Sequence, residues 1–452
     1  MRPADQPPAQ VPTADARLER VIGPWALGVN AVNLTVGAGI FALPAVVASM
    51  LGPAALLAYG VCGVLVLLVL GCFAEVGGRV TGSGGAVVYV EEAFGPLAGF
   101  LTWVVFALPF SVASDAAIVH VLMDALAGFV PALSGGAPRL AGMALLLGAL
   151  ALVNVRGVRD GTRLSVAVTV AKLLPLLLLI ALGAVAMQWR ALAWTGWPPV
   201  RGLGATSLVL FFAFMGAESA LTPSGEIRDP ARTVPRGMLG AALALVLLYS
   251  ALQATAQGVL GDQLARQTDA PLAATAERLA GTLGRQVVLA CTVIAGFGAL
   301  AADVLGAPRG FLAMAERGLL PSALARVHPR RRTPWVAILA FAGLILAAAA
   351  TGSFRALAVL SSISLLLVYL GVCLAALRLR RTHPPAAGAF RLPGGPLVPV
   401  LAVATVCWLL AQSTRTEALG MAAVLAVATL YYVMRRRAAV PLAPAPAVHP
   451  PT

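Results

Sequence analysis

Four ionisable residues lie deep within long apolar stretches of this chain, namely Asp115, Lys172, Glu218 and Asp303. A charged group inside hydrocarbon is costly, so such residues normally face the interior of a helix bundle and mark a path for ions or substrate. No constellation of histidine, cysteine and serine around them has the spacing of a metal centre or an activated nucleophile. We therefore expect these residues to bind and carry charge, and we predict neither catalysis nor a metal ion or other cofactor.

Glycine interrupts two of the apolar stretches. Residues 37–41 read Gly-Ala-Gly-Ile-Phe in the first stretch, and residues 212–218 read Phe-Ala-Phe-Met-Gly-Ala-Glu in the sixth. Backbone groups in a bilayer must be bonded within the protein, so a helix break is tolerated only where protein or a polar cavity covers the freed groups. Breaks at matching places in two halves of a chain are typical of secondary transporters, which hold their substrate at the broken helices near the bilayer midplane.

The composition is that of a polytopic membrane protein. Of 452 residues, 60% are hydrophobic and 11% are charged, and the mean hydropathy is +0.90. The net charge of +14 does not indicate nucleic acid, because the arginines stand in short segments between apolar runs and form no patch with interleaved aromatic residues. We expect the lipid bilayer as a partner, no nucleic acid and no separate soluble domain.

Apolar runs of about 20 residues predict an all-α integral membrane protein with about twelve spans. The predicted spans, numbered 1 to 12, are residues 22–50, 52–79, 95–127, 139–155, 163–187, 203–226, 236–260, 286–312, 334–352, 354–380, 396–412 and 416–434. Because spans 1 and 6 are the broken ones, we expect an inverted repeat of five helices each, with repeats at 21–187 and 203–380 and two appended helices in 396–434. The transporter domain is predicted at 21–437, and the Pro- and Ala-rich stretches 1–20 and 438–452 are predicted to be disordered tails.

The distribution of arginine predicts the orientation. Most arginines fall in the N-terminal stretch and on one side of the predicted bundle, whereas few, such as Arg139, Arg266 and Arg415, fall on the other. Positive charge is retained in the cytoplasm, so we expect both termini there. No hydrophobic signal-peptide core precedes span 1. These features favour a multi-pass protein of the inner (cytoplasmic) membrane.

Six pieces of sequence, taken in order, resemble the amino acid-polyamine-organocation superfamily and specifically its bacterial amino acid permeases. The pieces are residues 37–41, 74–89, 154–158, 212–218, 226–236 and 313–321. The resemblance extends over nearly the whole chain. It implies sodium-independent transport of amino acids or related amines by alternating access, either as proton symport or as exchange.

An amino acid presents a carboxylate and an ammonium group on one carbon, so its site needs both donors and acceptors. The break in span 1 frees N–H groups at a positive helix start, and glycine lets the backbone approach a carboxylate closely. Unwound carbonyl groups can accept from the ammonium. The predicted substrate-binding residues are Gly37, Ala38, Gly39 and Ile40 in span 1, and Phe212, Gly216 and Ala217 in span 6. The resemblance implies that Phe212 forms an aromatic lid over the substrate. The alternative is that Phe212 packs in the core or against lipid.

The resemblance implies proton coupling through Lys172 and Glu218. In sodium-independent relatives a lysine at this place looks like a substitute for a bound sodium ion. This lysine would connect span 5 to carbonyls of span 1 and to span 8. Desolvation would let Lys172 lose its proton in one conformation and regain it in another, unless the side chain snorkels to an interface. Glu218 directly follows the break in span 6, where the family often has an acidic residue. The alternative is that Glu218 only forms hydrogen bonds with the unwound backbone.

Two aspartates complete the set of candidates. Asp115 in span 3 departs from the neutral polar residue, such as Asn, that relatives more often carry. If Asp115 faces the site, its charge favours a cationic substrate; the alternative is a water-exposed position in the outer half. Asp303 in span 8 is the third candidate for proton coupling, because helical spacing allows an ion pair with Lys172.

A cluster of charges after span 6 could close an inner gate through ion pairs with the ends of spans 2 and 8, or could simply set the topology. Its members are Glu75, Arg79, Glu226, Arg228, Asp229, Arg236 and Arg317. Two other classes of function stay open, a non-transporting membrane sensor that keeps the permease fold and an intramembrane enzyme. The absence of a regulatory domain and of a catalytic constellation argues against them.

Overall fold

The computed structural model describes residues 20–80, 84–156, 162–194, 196–222, 226–382 and 390–438, with only the backbone described for 162–168. These residues form helices almost throughout, and one isolated parallel bridge joins Ile22 to Ile227. The predicted tails lie outside the described residues, apart from Arg20 and Ala438. Parts of the segments 81–89 and 154–158 lie outside them as well.

Helices occupy all twelve predicted spans. Spans 1 to 6 are Pro24–Thr35 with Gly39–Leu51, Ala55–Gly77, Pro96–Val105 with Ser111–Ala127, Gly136–Arg156, Thr162–Ala186 and Val200–Leu210 with two 3-10 turns, Phe211–Phe214 and Ala217–Leu221. Spans 7 to 12 are Pro230–Leu260, the second part of Pro271–Glu316, Trp335–Thr351, Phe354–Thr382, Leu397–Leu410 and Arg415–Ala438. The prediction of an all-α membrane protein is confirmed.

Length and hydropathy agree with this assignment. In the described part of the chain, eight continuous or nearly continuous helices are long and apolar enough to cross a membrane, and one of them, Gly39–Gly77, contains the second half of span 1 and all of span 2. Three shorter apolar helices, Val200–Phe214, Trp335–Thr351 and Leu397–Leu410, account for spans 6, 9 and 11. The chain is therefore a multi-pass membrane protein.

Both predicted helix breaks are present. Span 1 leaves the helical conformation at Val36, with φ −72° and ψ 76°, and resumes at Gly39. Span 6 leaves it at Met215, which is extended, and Gly216 follows with φ 118° and ψ −27°. That positive φ is a region that only glycine occupies without strain, so the glycine sets the place of the second break.

The order of helices is the same in both halves of the chain. In each half a broken span is followed by a long span, a short helix and another long span. The short helix of the first half is Ala86–Phe94, and that of the second half begins at Pro271 and ends at a kink where Gly281 has φ 65°. This order is what an inverted repeat produces. The repeat boundaries at 21–187 and 203–380 stay a prediction.

Span 3 contains a local irregularity that positions Asp115. Residues Phe106–Phe110 form a π turn around Pro109, and the hydroxyl of Ser111 donates to the Phe106 carbonyl at 3.0 Å. Proline lacks an N–H and clashes with the preceding turn, so the helix widens there. The helix Ser111–Ala127 then starts with a new register and carries Asp115 into the bundle, where none of its surface is exposed.

Candidate substrate-binding site

The two helix breaks lie directly against each other. A Cβ added to Gly39 would stand 2.9 Å from Cδ1 of Phe212 and 3.2 Å from Cα of Ala213. A Cβ added to Gly216 would stand 2.8 Å from the carbonyl oxygen of Leu34. Each glycine therefore permits the close approach of the other broken span, and a side chain at either position would push the two breaks apart.

The predicted residues of span 1 form the wall of this junction. Ala38, Gly39 and Ile40 are buried, and Gly37 is half-buried. The second half of the span begins at Gly39, and the first amides of a helix have no partner within the helix. A built Cβ on Gly37 would have only the Thr35 carbonyl oxygen within 4 Å, at 3.9 Å, so there is room beside this residue.

Phe212 covers the break in span 1. Its ring packs on Gly39 and meets the ring of Phe354, at the start of span 10, edge to face with centroids 5.8 Å apart. Phe214, two residues on, is completely buried and contacts Tyr249 of span 7 at 5.0 Å. The sequence left core packing open for Phe212. Phe214 is a core residue, and Phe212 is the one that faces the break.

Tyr249 also holds the break in span 1 through a hydrogen bond. Its hydroxyl donates to the Thr35 carbonyl at 3.0 Å, and both groups are buried. The Thr35 carbonyl lies at the end of the first half of span 1, where helix carbonyls lack an intrahelical partner. Span 7 thus satisfies one of the acceptors that the break exposes.

Lys172 satisfies another of these acceptors. Its ammonium donates to the Asn33 carbonyl at 2.5 Å, and the residue is 5% exposed. The Cys291 thiol of span 8 donates to the Lys172 carbonyl at 3.3 Å. Lys172 thus joins spans 1, 5 and 8 and does not snorkel to an interface. It is the only lysine among the 32 lysines and arginines of the chain.

Glu218 closes the break in span 6. Its carboxylate accepts from the Gly216 amide at 3.1 and 3.2 Å and from the hydroxyl of Tyr369, in span 10, at 2.7 Å. The residue is 4% exposed. Both sequence-based interpretations of Glu218 therefore have a structural basis, since it bonds the unwound backbone and also stands in the interior as an ionisable group.

Asp115 and Asp303 lie together. The carboxyl groups of Asp115 and Asp303 are within electrostatic range of each other, and Glu218 is within electrostatic range of Asp303. The water-exposed alternative for Asp115 is not observed, because its surface is fully buried.

The expected ion pair between Asp303 and Lys172 is not formed. The residue of span 8 that meets Lys172 is Cys291, twelve residues before Asp303, which corresponds to about 18 Å along the helix. Among the described residues Lys172 forms no salt bridge. Sequence spacing gave the right helix but not its displacement along the bundle axis.

The predicted inner gate is divided in the structure. Glu75 is 1% exposed and forms an ion pair with Arg79 at 2.7 Å. Its two carboxylate oxygens also accept hydrogen bonds from the guanidinium of Arg380, in span 10, at 2.5 and 2.6 Å. Asp229 meets only Arg232, at 3.7 Å and with both side chains exposed. Arg317 lies apart, beside a cavity of about 170 Å³ between spans 3, 8 and 12. Among the described ion pairs of the predicted gate, those of Glu75 are the buried ones, so loss of one partner there would leave an uncompensated buried charge.

Sequence reasoning missed several partners of the site. Asn33, Tyr249, Phe354, Tyr369 and Arg380 each contact a predicted residue or the predicted gate. A signal existed for the two tyrosines, because a phenolic hydroxyl in the middle of an apolar span needs a partner. For Phe354 and Arg380, at the ends of span 10, sequence spacing carried no comparable signal.

Two broken spans that meet inside a twelve-helix bundle, with ionisable side chains around the junction, are typical of transporters. A family model described as "Amino acid permease" matches residues 22–433. The chain belongs to this family, within the amino acid-polyamine-organocation superfamily, and the resemblance seen in the sequence is confirmed.

Individual relatives cover the chain almost end to end. The serine/threonine exchanger SteT of Bacillus subtilis is 27% identical over 94% of this chain and 99% of its own length. The branched-chain amino acid permease BcaP of the same organism is 25% identical over 86% and 87%, and its methylthioribose transporter is 26% identical over 93% and 94%. These relatives are transporters with different substrates.

Proposed function

We propose that this protein is a sodium-independent secondary active transporter that carries amino acids across the inner membrane by alternating access, in symport with protons. The observation that carries the proposal is the contact between the two breaks, Gly39 against Phe212 and Gly216 against Leu34. In this arrangement the amides at the start of the second half of span 1 would bind the substrate carboxylate, and unwound carbonyls would accept from its ammonium. Phe212 would act as the lid over the bound substrate.

Lys172 supports the proton-coupled, sodium-independent part of the proposal. Its ammonium lies between spans 1, 5 and 8 and bonds a span 1 carbonyl. Arginine stays charged in proteins, whereas a desolvated lysine can release its proton. The chain uses arginine at every other basic position. Lys172 and Glu218 are therefore proposed as the proton-carrying groups; Asp303, the third sequence candidate, lies with Asp115 instead of Lys172.

Exchange of one substrate for another is the second candidate mechanism. The relative SteT is named an exchanger, and its match covers 94% of this chain. A transporter that reorients only when substrate is bound would perform exchange, whereas one that also reorients with neither substrate nor proton bound would perform symport. We further propose the five-helix repeats at 21–187 and 203–380, cytoplasmic termini and the absence of any catalytic step.

Uptake into proteoliposomes tests the proposal. Purified protein is reconstituted, and uptake of labelled amino acids is measured with and without an inward proton gradient, in sodium-free and sodium-containing buffer. Accumulation driven by the proton gradient into an empty lumen supports symport, whereas uptake that requires internal substrate supports exchange. If no amino acid or amine enters above the level of protein-free liposomes, the proposed function is wrong.

A further inference from the structure

Asp115 and Asp303 lie on the facing sides of spans 3 and 8, within electrostatic range of each other. A Cβ on Gly296 would meet Ile118 and Leu122 of span 3, and one on Gly310 would meet the Trp103 ring nitrogen at 3.3 Å. Asp303 is seven residues from each of these glycines, so it lies on the same face of its helix, directed at span 3. Spans 3 and 8 are antiparallel along this contact, which brings Asp303 to the level of Asp115.

These carboxyl groups have no positive partner. Both carboxyl oxygens of Asp115 are buried and accept no hydrogen bond. Among the described residues, no arginine, lysine or histidine bonds or pairs with Asp115 or Asp303. The ammonium of Lys172 bonds the Asn33 carbonyl, and the carboxyl of Glu218 is within electrostatic range of Asp303.

Two carboxyl groups in contact repel each other when both are ionised, unless a cation stands between them. An unpaired buried acceptor is also unfavourable by itself. A bound cationic group would remove both penalties at once. An ammonium group has three donors and a guanidinium five, and either fits a site that offers only acceptors.

The pair adjoins open space and the proposed substrate site. Asp303 is exposed although it lies beside the fully buried Asp115, and a Cβ on Gly306, one turn further along, would meet nothing within 4 Å. Glu218, which bonds the break in span 6, is within electrostatic range of Asp303. A group held at the breaks therefore has the aspartate pair within the same interior region.

We propose that Asp115 and Asp303 form the subsite for the substrate's side chain, and that the substrate is an amino acid with a cationic side chain. This inference rests on the proposed function, because it leaves the α-carboxylate and α-ammonium at the breaks. The side-chain ammonium or guanidinium sits between the two carboxyl groups. A neutral side chain of equal size leaves these groups without a counter-charge and binds less well.

Matched substrates test the proposal on the unchanged protein. Uptake by proteoliposomes is compared for lysine against norleucine and for arginine against citrulline, pairs that differ mainly in side-chain charge. We expect the cationic member of each pair to have a KM lower by about 30-fold or more, since leaving the buried Asp115 carboxyl without a charged partner corresponds to about 2 kcal/mol or more. The same ranking is expected when the compounds protect the detergent-solubilised protein against heat.

Charge-neutralising variants test the residues. Asp115→Asn and Asp303→Asn should each remove most of the preference for lysine over norleucine while norleucine uptake continues. The control is Glu277→Gln, because Glu277 is 52% exposed and lies in the helix before span 8, away from the pair. This variant should keep the preference. If a variant does not fold, the substrate ranking on the unchanged protein still decides.

Three results would overturn the inference. Equal transport of norleucine and citrulline and of their cationic counterparts would leave an amino acid transporter without a cation subsite. Equal loss of lysine and norleucine uptake in the Asn variants would make the pair structural or proton-binding. Failure of all uptake, by contrast, refutes the proposed function itself and not merely this subsite.

Discussion

Replacement of Gly216 by alanine is the most direct perturbation of the contact between the breaks. Gly216 has φ 118°, and an added Cβ would stand 2.8 Å from the Leu34 carbonyl oxygen and 3.3 Å from Cα of Thr35. Both atoms belong to the backbone of span 1, so neither can rotate away as a flexible side chain would. The methyl group must therefore displace one broken span from the other.

Two contributions set the size of the effect. A non-glycine residue in this sparsely populated backbone region costs about 1–3 kcal/mol. Overpacking by one methyl group against a fixed neighbour costs about 1–3 kcal/mol more. Gly216→Ala should thus destabilise the protein by about 2–6 kcal/mol. The strain falls on the junction proposed to bind substrate, so transport should also be lost.

Gly240→Ala is the matched control. Gly240 is exposed in the interior of the span 7 helix, and an added Cβ would meet nothing within 4 Å. Alanine in a helix interior is favoured over glycine by about 0.5–1 kcal/mol, so this variant should be as stable as the unchanged protein or slightly more so.

The assay measures both properties on both variants. Apparent melting temperature is read from the folded fraction that survives heating in detergent, and uptake is read in proteoliposomes. Gly216→Ala should lower the melting temperature and abolish uptake, whereas Gly240→Ala should change neither by much. Equal melting temperatures and equal uptake for the two variants would refute the view that the breaks are held in tight contact at Gly216.

Three further substitutions follow from the site and its closure. Lys172→Ala should abolish the dependence of uptake on the proton gradient, and an unchanged dependence of the uptake rate would remove this lysine from the coupling mechanism. Tyr369→Phe removes the hydroxyl that donates to the Glu218 carboxylate at 2.7 Å. Because the acceptor is an ionisable group, the free energy of unfolding should fall by about 1.5–3 kcal/mol, as measured by thermal unfolding. An unchanged free energy of unfolding would mean that water replaces the hydroxyl. Glu75→Gln should destabilise by about 3–5 kcal/mol, because it leaves the buried guanidinium of Arg79 and the partly buried one of Arg380 without their shared carboxylate. Arg380→Gln should destabilise less, because it preserves the ion pair between Glu75 and Arg79; the reverse order in thermal unfolding would contradict this account of the cluster.

Much of the fold was predictable because a bilayer leaves few solutions. The twelve spans follow from apolar length alone, and each contains a helix in the structure. The breaks were predictable for the same reason, since glycine inside a span needs an explanation when every backbone group must be bonded. The short helices after spans 2 and 7 were not predicted as helices, because turn-like and amphipathic segments at the membrane surface give a weaker signal.

The sequence by itself determined which residues are out of place in hydrocarbon: the glycines of spans 1 and 6 and the ionisable side chains Asp115, Lys172, Glu218 and Asp303. Only the tertiary structure decided which of these meet. The displacement of span 8 along the bundle axis places Cys291 against Lys172 and leaves Asp303 with Asp115. Helical periodicity fixes the face on which a residue lies, but the height at which two helices meet depends on packing along their whole length, including the glycines of span 8 that approach span 3.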